Sequence, residues 1–290
     1  MKSTPGYRSS RVEDRRGSSG GGGLPGGAAL KLGGASIPVI LLVVLFTVLS
    51  GGGDDLGSVL DQVDGTTTRG QAVPEQSIDP AQDPEAEMVS FVSFVFDDVQ
   101  ATWDQVFADS GLDYAPSTLV LYRRGTQTAG CGFGQSAAGP FYCPADSKTY
   151  LDLSFFDQMR TQLGAGGDFA QAYVIAHEVG HHVQNQLGVS SEVRQRQQAN
   201  PSQANDLSVS LELQADCFAG VWGWSALEEG LVESGDLEEA MEAAEAIGDD
   251  SLQGANANPE TFTHGTSAQR QQWFMAGYDS GDPNDCNTFG

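Results

Sequence analysis

The sequence predicts an α+β, mainly helical domain that is preceded by a single transmembrane helix. Four segments carry apolar residues at helical spacing, whereas only two short segments alternate as strands do. A separate apolar stretch without charge lies near the N-terminus, in sequence rich in glycine. Setting that stretch and its flanks aside leaves about 200 residues, which is enough for one hydrophobic core.

Composition divides the 290 residues into four parts. They are a basic, glycine-rich tail (1–32), a membrane anchor (33–50), a flexible linker (51–85) and the folded domain (86–290).

The apolar stretch, residues 33–49, is uncharged and dense in Ile, Val and Leu. A spanning helix needs roughly 17–25 such residues, so the lipid bilayer is a predicted partner. Residues 1–32 hold six basic and two acidic residues. The positive-inside rule therefore predicts a single-pass protein of the cell membrane, with a cytoplasmic N-terminus and an extracytoplasmic domain. A cleaved signal peptide is the alternative, with Val48 and Ser50 as a weak cleavage site.

The chain as a whole is acidic, with 14 Lys and Arg residues against 39 Asp and Glu residues. Such a surface repels phosphates, which excludes a nucleic-acid partner. Composition does not indicate an oligomeric state.

The four cysteines all follow residue 130, which favours two disulfides in an oxidising compartment. Three pairings are open, and the local one joins Cys131 to Cys143 and leaves Cys217 for Cys286. Four buried free thiols are the alternative. A cysteine-based zinc site is disfavoured because the sequence contains no CxxC.

The elements of the domain follow from periodicity, in chain order. We predict four helices, at 85–108, 168–187, 202–229 and 267–278. Two strands are predicted between the first and second helices, at 117–122 and 149–153. Gly188 closes the second helix.

That second helix contains His177, Glu178 and His181 in an HExxH arrangement. Residues four apart share one face of a helix, so both imidazoles can bind one Zn²⁺ ion. Glu178 then lies where a general base is needed. The neighbouring residues are apolar, which argues against a chance match on a surface helix. His182 points about 100° away and is predicted to make a polar contact elsewhere.

A catalytic zinc site needs a third protein ligand. Glu212 and Asp216 are also four apart, in an apolar part of the next helix. Buried carboxylates must be paired or bind metal. Either one can therefore bind the ion while the other accepts the free N–H of a ligand histidine, and two solvated charges are the remaining alternative.

Several segments resemble the bacterial family of putative neutral zinc metallopeptidases. They are VEDRRG, GPFYCPADSKTYLDLSFF, HEVGHHVQ, LELQADCFAGVW and THGTSAQR. The linker near 51–85 does not match. HExxH followed by ExxxD is also similar to the gluzincin type of metallopeptidase. The resemblance implies that Glu212 is the third ligand and that Asp216 accepts the N–H of a ligand histidine. It also implies a zincin-like fold with a small sheet beside the two site helices.

His264 lies outside the motif, in Thr-His-Gly-Thr-Ser. We expect it to donate a hydrogen bond to the oxyanion of a tetrahedral intermediate, a role that Arg270 or Tyr278 can also take. A turn that caps the last helix through Thr266 or Ser267 is the alternative.

The predicted function is a zinc-dependent metalloendopeptidase acting on a protein or peptide, with the strand at 149–153 pairing with an extended substrate. The alternatives are a zinc hydrolase of envelope material and a membrane-tethered module with a structural zinc.

Overall fold

The computed structural model describes residues 1–17, 78, 82–136, 139–254 and 256–290. The helices are α1 (Ala86–Asp109), α2 (Ser154–Gln162), α3 (Asp168–Gln186), α4 (Val189–Ala199), α5 (Ala204–Glu228), α6 (Asp236–Ala246), α7 (Asp249–Gln253) and α8 (Ser267–Ser280). The strands are β1 (Val12–Asp14), β2 (Thr118–Tyr122), β3 (Gly125–Gln127), β4 (Phe133–Gln135), β5 (Phe141–Cys143) and β6 (Lys148–Asp152).

The predicted anchor, 33–50, lies outside the described residues, as do most of the predicted linker and the second half of the predicted tail. Among the helices that the structure describes, none is long and apolar enough to cross a membrane.

The protein is mainly helical with two small sheets, so the α+β prediction is confirmed at this level. The larger sheet has the order β1-β2-β6-β5, in which β5 alone runs antiparallel to its neighbour. Leu119 and Leu121 of β2 enter the main core, whereas Val120 and Tyr122 pack in a second cluster on the other face. An interior strand buried on both faces explains why β2 reads as a continuous apolar run.

The strand predicted at 149–153 is not an edge strand. In the structure β6 hydrogen-bonds to β2 along its whole length, and β5 covers its other edge at residues 148–150, so a substrate cannot pair with that part of the strand. The short β5, which the sequence did not reveal, is the outer strand at this end of the sheet.

The N-terminal segment differs from the predicted tail, because residues 1–17 pack on the domain. β1 pairs in parallel with β2, in the register Val12–Leu119 to Asp14–Leu121. The buried Arg16 side chain forms ion pairs with Asp83, at 2.6 Å, and with Glu85, at 2.8 Å. This segment is held by backbone hydrogen bonds and ion pairs. Such contacts do not require apolar residues at regular spacing, so the sequence pattern did not indicate them.

Helix α3 lies at the centre of the domain and contacts α1, α5, α6 and β5. Gly180 permits the approach of α5, because a Cβ atom there would meet the Ala215 carbonyl oxygen at 3.0 Å. Helices α5 and α8 cross still more closely. A Cβ atom at Gly220 would lie 2.0 Å from the Phe274 carbonyl oxygen, and one at Gly277 would lie 2.0 Å from that of Cys217.

The structure contains two disulfides, Cys131–Cys143 and Cys217–Cys286, which is the local pairing among the three that the sequence left open. The first ties a loop to β5, and the second ties the C-terminal segment to α5.

Candidate metal centre

The candidate centre lies where α3 passes α5. His177 and His181 are one turn apart on α3, and Glu212 reaches towards them from α5. His177 Nε2 lies 3.2 Å from Glu212 Oε2, and His181 Nε2 lies 3.4 Å from Glu212 Oε1. One donor atom from each residue can be chosen so that all lie within 4.8 Å of one another. The structure therefore brings together the three residues predicted as metal ligands.

The opposite ring nitrogen of each histidine has its own partner. His177 Nδ1 lies 2.8 Å from Asp216 Oδ1, and His181 Nδ1 lies 2.8 Å from Gln184 Oε1. In a neutral imidazole, an acceptor at Nδ1 holds the hydrogen there and leaves the lone pair on Nε2 for a metal ion. Both Nε2 atoms face the Glu212 carboxylate.

Asp216 is fully buried and has three partners besides the imidazole. Arg270 Nε and Nη2 each donate to it at 2.9 Å, and the Tyr173 hydroxyl donates at 2.6 Å. Burial raises the pKa of Asp216, but the Arg270 guanidinium and His177 outweigh burial and lower it. This arrangement keeps Asp216 ionised beside His177.

Arg270 is accordingly not available to an oxyanion, in contrast to one of the predicted roles. The residue is 2% exposed, and its guanidinium contacts Asp216, Tyr173 and the Ile247 carbonyl. Tyr278, the other residue considered for this role, packs against Gly223. Gly223 lies about three turns along α5 from Glu212, so Tyr278 is distant from the candidate centre.

Glu178 lies beside the two histidines and makes no hydrogen bond to a described residue. Burial raises its pKa, and the lowering effects of His181 and His177 do not cancel this rise. A carboxylate with a raised pKa close to the reacting atoms is suited to accepting a proton.

The electrostatics of the donor set fit a divalent cation. Burial alone would lower the pKa of His177, but the carboxylates of Asp216 and Glu212 outweigh it and raise that pKa to about 10. Glu212 has a pKa well below its ordinary value, because the two histidines outweigh the effect of burial. A set of two imidazole nitrogens and one carboxylate oxygen, which together favour positive charge, fits a Zn²⁺ ion.

His264 lies near this centre, in the loop before α8. The adjacent Gly265 lies close to α5, because a Cβ atom there would contact Leu213 and Val209 on either side of Glu212. The His264 side chain is 22% exposed, and its Nδ1 atom lies 3.3 Å from Asp249 Oδ1. The Nε2 atom of His264 is therefore the nitrogen left to face solvent or substrate.

Asp249 was not identified from the sequence. Its buried carboxylate also accepts the backbone N–H groups of residues 263–265, at 2.6–3.1 Å, and so holds the loop in place. Burial raises its pKa, but these hydrogen bonds and His264 outweigh burial and lower it. Tyr173 was missed as well, since its partners Asp216 and Arg270 are distant in sequence and only the fold brings them together. Gln184 was also missed, although it lies three residues after His181 on the same helix, a spacing that could have indicated it.

The remaining histidine, His182, takes the separate polar contact that was predicted for it. Its Nδ1 atom lies 2.9 Å from the Tyr142 hydroxyl, and its Nε2 atom lies 2.7 Å from the Ala115 carbonyl oxygen. His182 thus joins α3 to β5 and to the loop before β2.

A second group of carboxylates, formed by Asp168, Asp236 and Glu239, also has converging oxygens. The amino group of Met1 lies 2.5 Å from Asp168 Oδ1 and 3.2 Å from Asp236 Oδ1. This group already has a cationic partner and lacks histidine, so it does not resemble a zinc site.

The sequence of this chain matches the model of one protein family. Residues 1–289 match the family model described as "Putative neutral zinc metallopeptidase". The matched residues span nearly the whole chain, the N-terminal segment included.

Two similar relatives are uncharacterized proteins. YpfJ of Escherichia coli (strain K12) is 56% identical over 229 residues, which cover 76% of this chain and 78% of the relative. Rv2575 of Mycobacterium tuberculosis is 48% identical over 174 residues, which cover 55% of this chain and 58% of the relative. No solved structure matches the chain.

Proposed function

Because the chain belongs to the putative neutral zinc metallopeptidase family, we propose that it is a zinc-dependent endopeptidase that hydrolyses peptide bonds in a protein or peptide substrate. One observation carries the proposal. His177, His181 and Glu212 converge from two helices, with Glu178 beside them and free of hydrogen bonds to the described residues. A structural zinc site needs four protein ligands and no adjacent base.

A Zn²⁺ ion bound by His177, His181 and Glu212 would supply a Lewis acid for the scissile carbonyl and would lower the pKa of water. Glu178 accepts a proton from the attacking water and passes it to the leaving amine. Asp216 and Gln184 hold the two imidazoles in the required tautomer. Arg270 keeps Asp216 ionised and fixed in orientation.

His264 completes the proposed site as a hydrogen-bond donor to the oxyanion. Asp249 positions the imidazole through its Nδ1 atom and holds the loop through three backbone N–H groups. The proposal assigns Asp249 an indirect role, since it acts only through His264.

An extended substrate would pair with β5 instead of β6. β5 is the outer strand, and its Tyr142 hydroxyl contacts His182, the residue next to His181. Pairing along an unpaired strand edge is a common mode of peptide recognition. A small sheet beside the site helices is also what the proposed zincin-like architecture requires.

We further propose that the folded unit lies outside the cytoplasm, since its two disulfides belong to an oxidising compartment. The contact of residues 33–50 with the bilayer stays part of this proposal. The single-pass span and the cytoplasmic N-terminus do not, because the pairing of β1 with β2 requires residues 1–17 and the domain to be on one side of the membrane.

The test is an assay of the purified full chain, with and without Zn²⁺, against denatured protein and against purified cell-wall fragments. We expect zinc-dependent cleavage of the denatured protein. Cleavage of wall fragments alone would identify a hydrolase of envelope material. A protein that holds zinc and cleaves neither substrate would contradict the endopeptidase proposal and favour a structural zinc.

A further inference from the structure

A groove of about 470 Å³ lies between α6 and α8, away from the residues of the metal centre. Its apolar part is formed by Leu237 and Met241, one turn apart on α6, and by Met275 of α8. All three side chains are half-buried. Methionine side chains are flexible and polarisable, and they are common on surfaces that receive apolar side chains of a partner.

The rim of this groove carries negative charge only. Glu238, Glu242 and Glu245 line it at intervals of four and three residues, so they share one face of α6. All three are exposed, and none forms an ion pair with a described residue. Gln271 of α8, the remaining polar group of the lining, donates to the Met241 carbonyl and to Glu245.

The surroundings do not neutralise this rim. Residues 201–290 contain 17 acidic residues and one Lys or Arg, namely Arg270. Arg270 is buried and bound to Asp216, so it adds no positive charge at the surface. The other Lys and Arg residues that the structure describes lie within residues 1–16, 123–160 and 194–196. The amino group of Met1 lies at the start of α6, but it pairs with Asp168 and Asp236 and not with the three glutamates of the rim.

From these observations we propose that the groove between α6 and α8 docks a cationic amphipathic segment of a polypeptide partner. Large apolar side chains of that segment would contact Leu237, Met241 and Met275, and its Lys or Arg residues would lie against the three glutamates. An apolar floor beside a stripe of like charge is complementary to a helix with one apolar face and basic flanks. The proposal concerns binding and does not require that the chain hydrolyse peptides.

The test measures fluorescence anisotropy of labelled helical peptides with the purified full chain. The first peptide, of about 18 residues, has a leucine face flanked by lysines. The second replaces its lysines with glutamate, and the third replaces its leucines with serine. We expect binding of the first peptide, weakening at high salt, and at least about tenfold weaker binding of the other two.

Two variants with equal change of charge locate the binding. Glu238→Gln/Glu242→Gln/Glu245→Gln changes the rim, whereas Glu228→Gln/Glu229→Gln/Asp279→Asn changes exposed groups outside the groove. We expect the rim variant to bind the first peptide about tenfold more weakly and the control variant to bind within about twofold of wild type. A Met241→Ser/Met275→Ser variant should also weaken binding, with circular dichroism confirming that each variant is folded.

Three results would overturn the proposal. The first peptide does not bind, the serine peptide binds as well as the leucine peptide, or the two charge variants weaken binding equally. The last two results would show attraction to the net charge of the chain and not to this groove.

Discussion

At the scale of single residues, the candidate centre depends on which nitrogen of each imidazole is free. The HExxH spacing predicts that His177 and His181 share a face, because this follows from helix geometry alone. It does not predict that Asp216 and Gln184 hold the two Nδ1 atoms. The residues alone left open whether Glu212 or Asp216 contacts the imidazole, because that depends on how α3 packs with α5. The Gln184 contact is local, since Gln184 lies three residues after His181 on the same helix.

Glu178→Gln tests the proposed base. The variant should keep its zinc and lose hydrolysis, because an amide of the same shape cannot accept the proton of the attacking water. Zinc content and turnover of a peptide substrate are the two measurements. Activity within a few-fold of wild type would exclude Glu178 as the base, and loss of zinc would make it a ligand.

Glu212 and Asp216 are distinguished by their replacement. Glu212→Ala should be poor in zinc and inactive, since it removes a donor atom from the centre. Asp216→Asn should bind zinc at saturating metal with affinity or activity lower by about 10–100-fold. It should also be less stable, because Arg270 would keep its buried charge without a carboxylate. Zinc retained in Glu212→Ala and lost in Asp216→Asn would reverse the assignment.

At the scale of elements, the long helices were predicted to within about two residues, because each carries apolar residues at helical spacing over many turns. The missed strands β1, β3, β4 and β5 have three residues each. A three-residue strand is too short to show alternation, so only its partners in the fold define it.

Close helix packing gives a prediction at this scale. Gly220→Ala should lower the free energy of unfolding by about 1–3 kcal/mol or more, because its Cβ atom would overlap the backbone of α8. Gly180→Ala should cost less, since its Cβ atom would be only slightly too close to α5. Urea unfolding of both variants measures the difference. Equal losses would indicate that α5 and α8 are not in such close contact.

At the scale of the whole molecule, the largest departure from the sequence prediction is the N-terminus. Residues 1–17 were assigned to a tail because they are basic and lack apolar periodicity. In the structure the polar side chains of this segment have partners in the domain. Arg16 forms an ion pair with Asp83, and the Tyr7 hydroxyl donates a hydrogen bond to Asp97. A composition-based boundary cannot detect a segment that is held by ion pairs to residues far along the chain.

This arrangement predicts that residues 1–17 are needed for stability. A chain of residues 82–290 should be less stable than one in which a short Gly-Ser linker joins residue 17 to residue 82. The loss should be at least about 1 kcal/mol, because β2 would lose its hydrogen bonds to β1 and Asp83 would lose the Arg16 guanidinium. Urea unfolding compares the two, with Arg16→Ala in the joined chain as the control for this ion pair. Equal stability of the two chains would show that β1 does not belong to the folded unit.

The central claim is that His177, His181 and Glu212 hold one zinc ion, and metal analysis of the purified full chain tests it most directly. The account predicts about one zinc per chain for wild type, at a site with three protein ligands. His177→Ala should lose most of that zinc while keeping the helical content of wild type. A folded His177→Ala variant with unchanged zinc content would contradict the account, because the metal would then lie elsewhere.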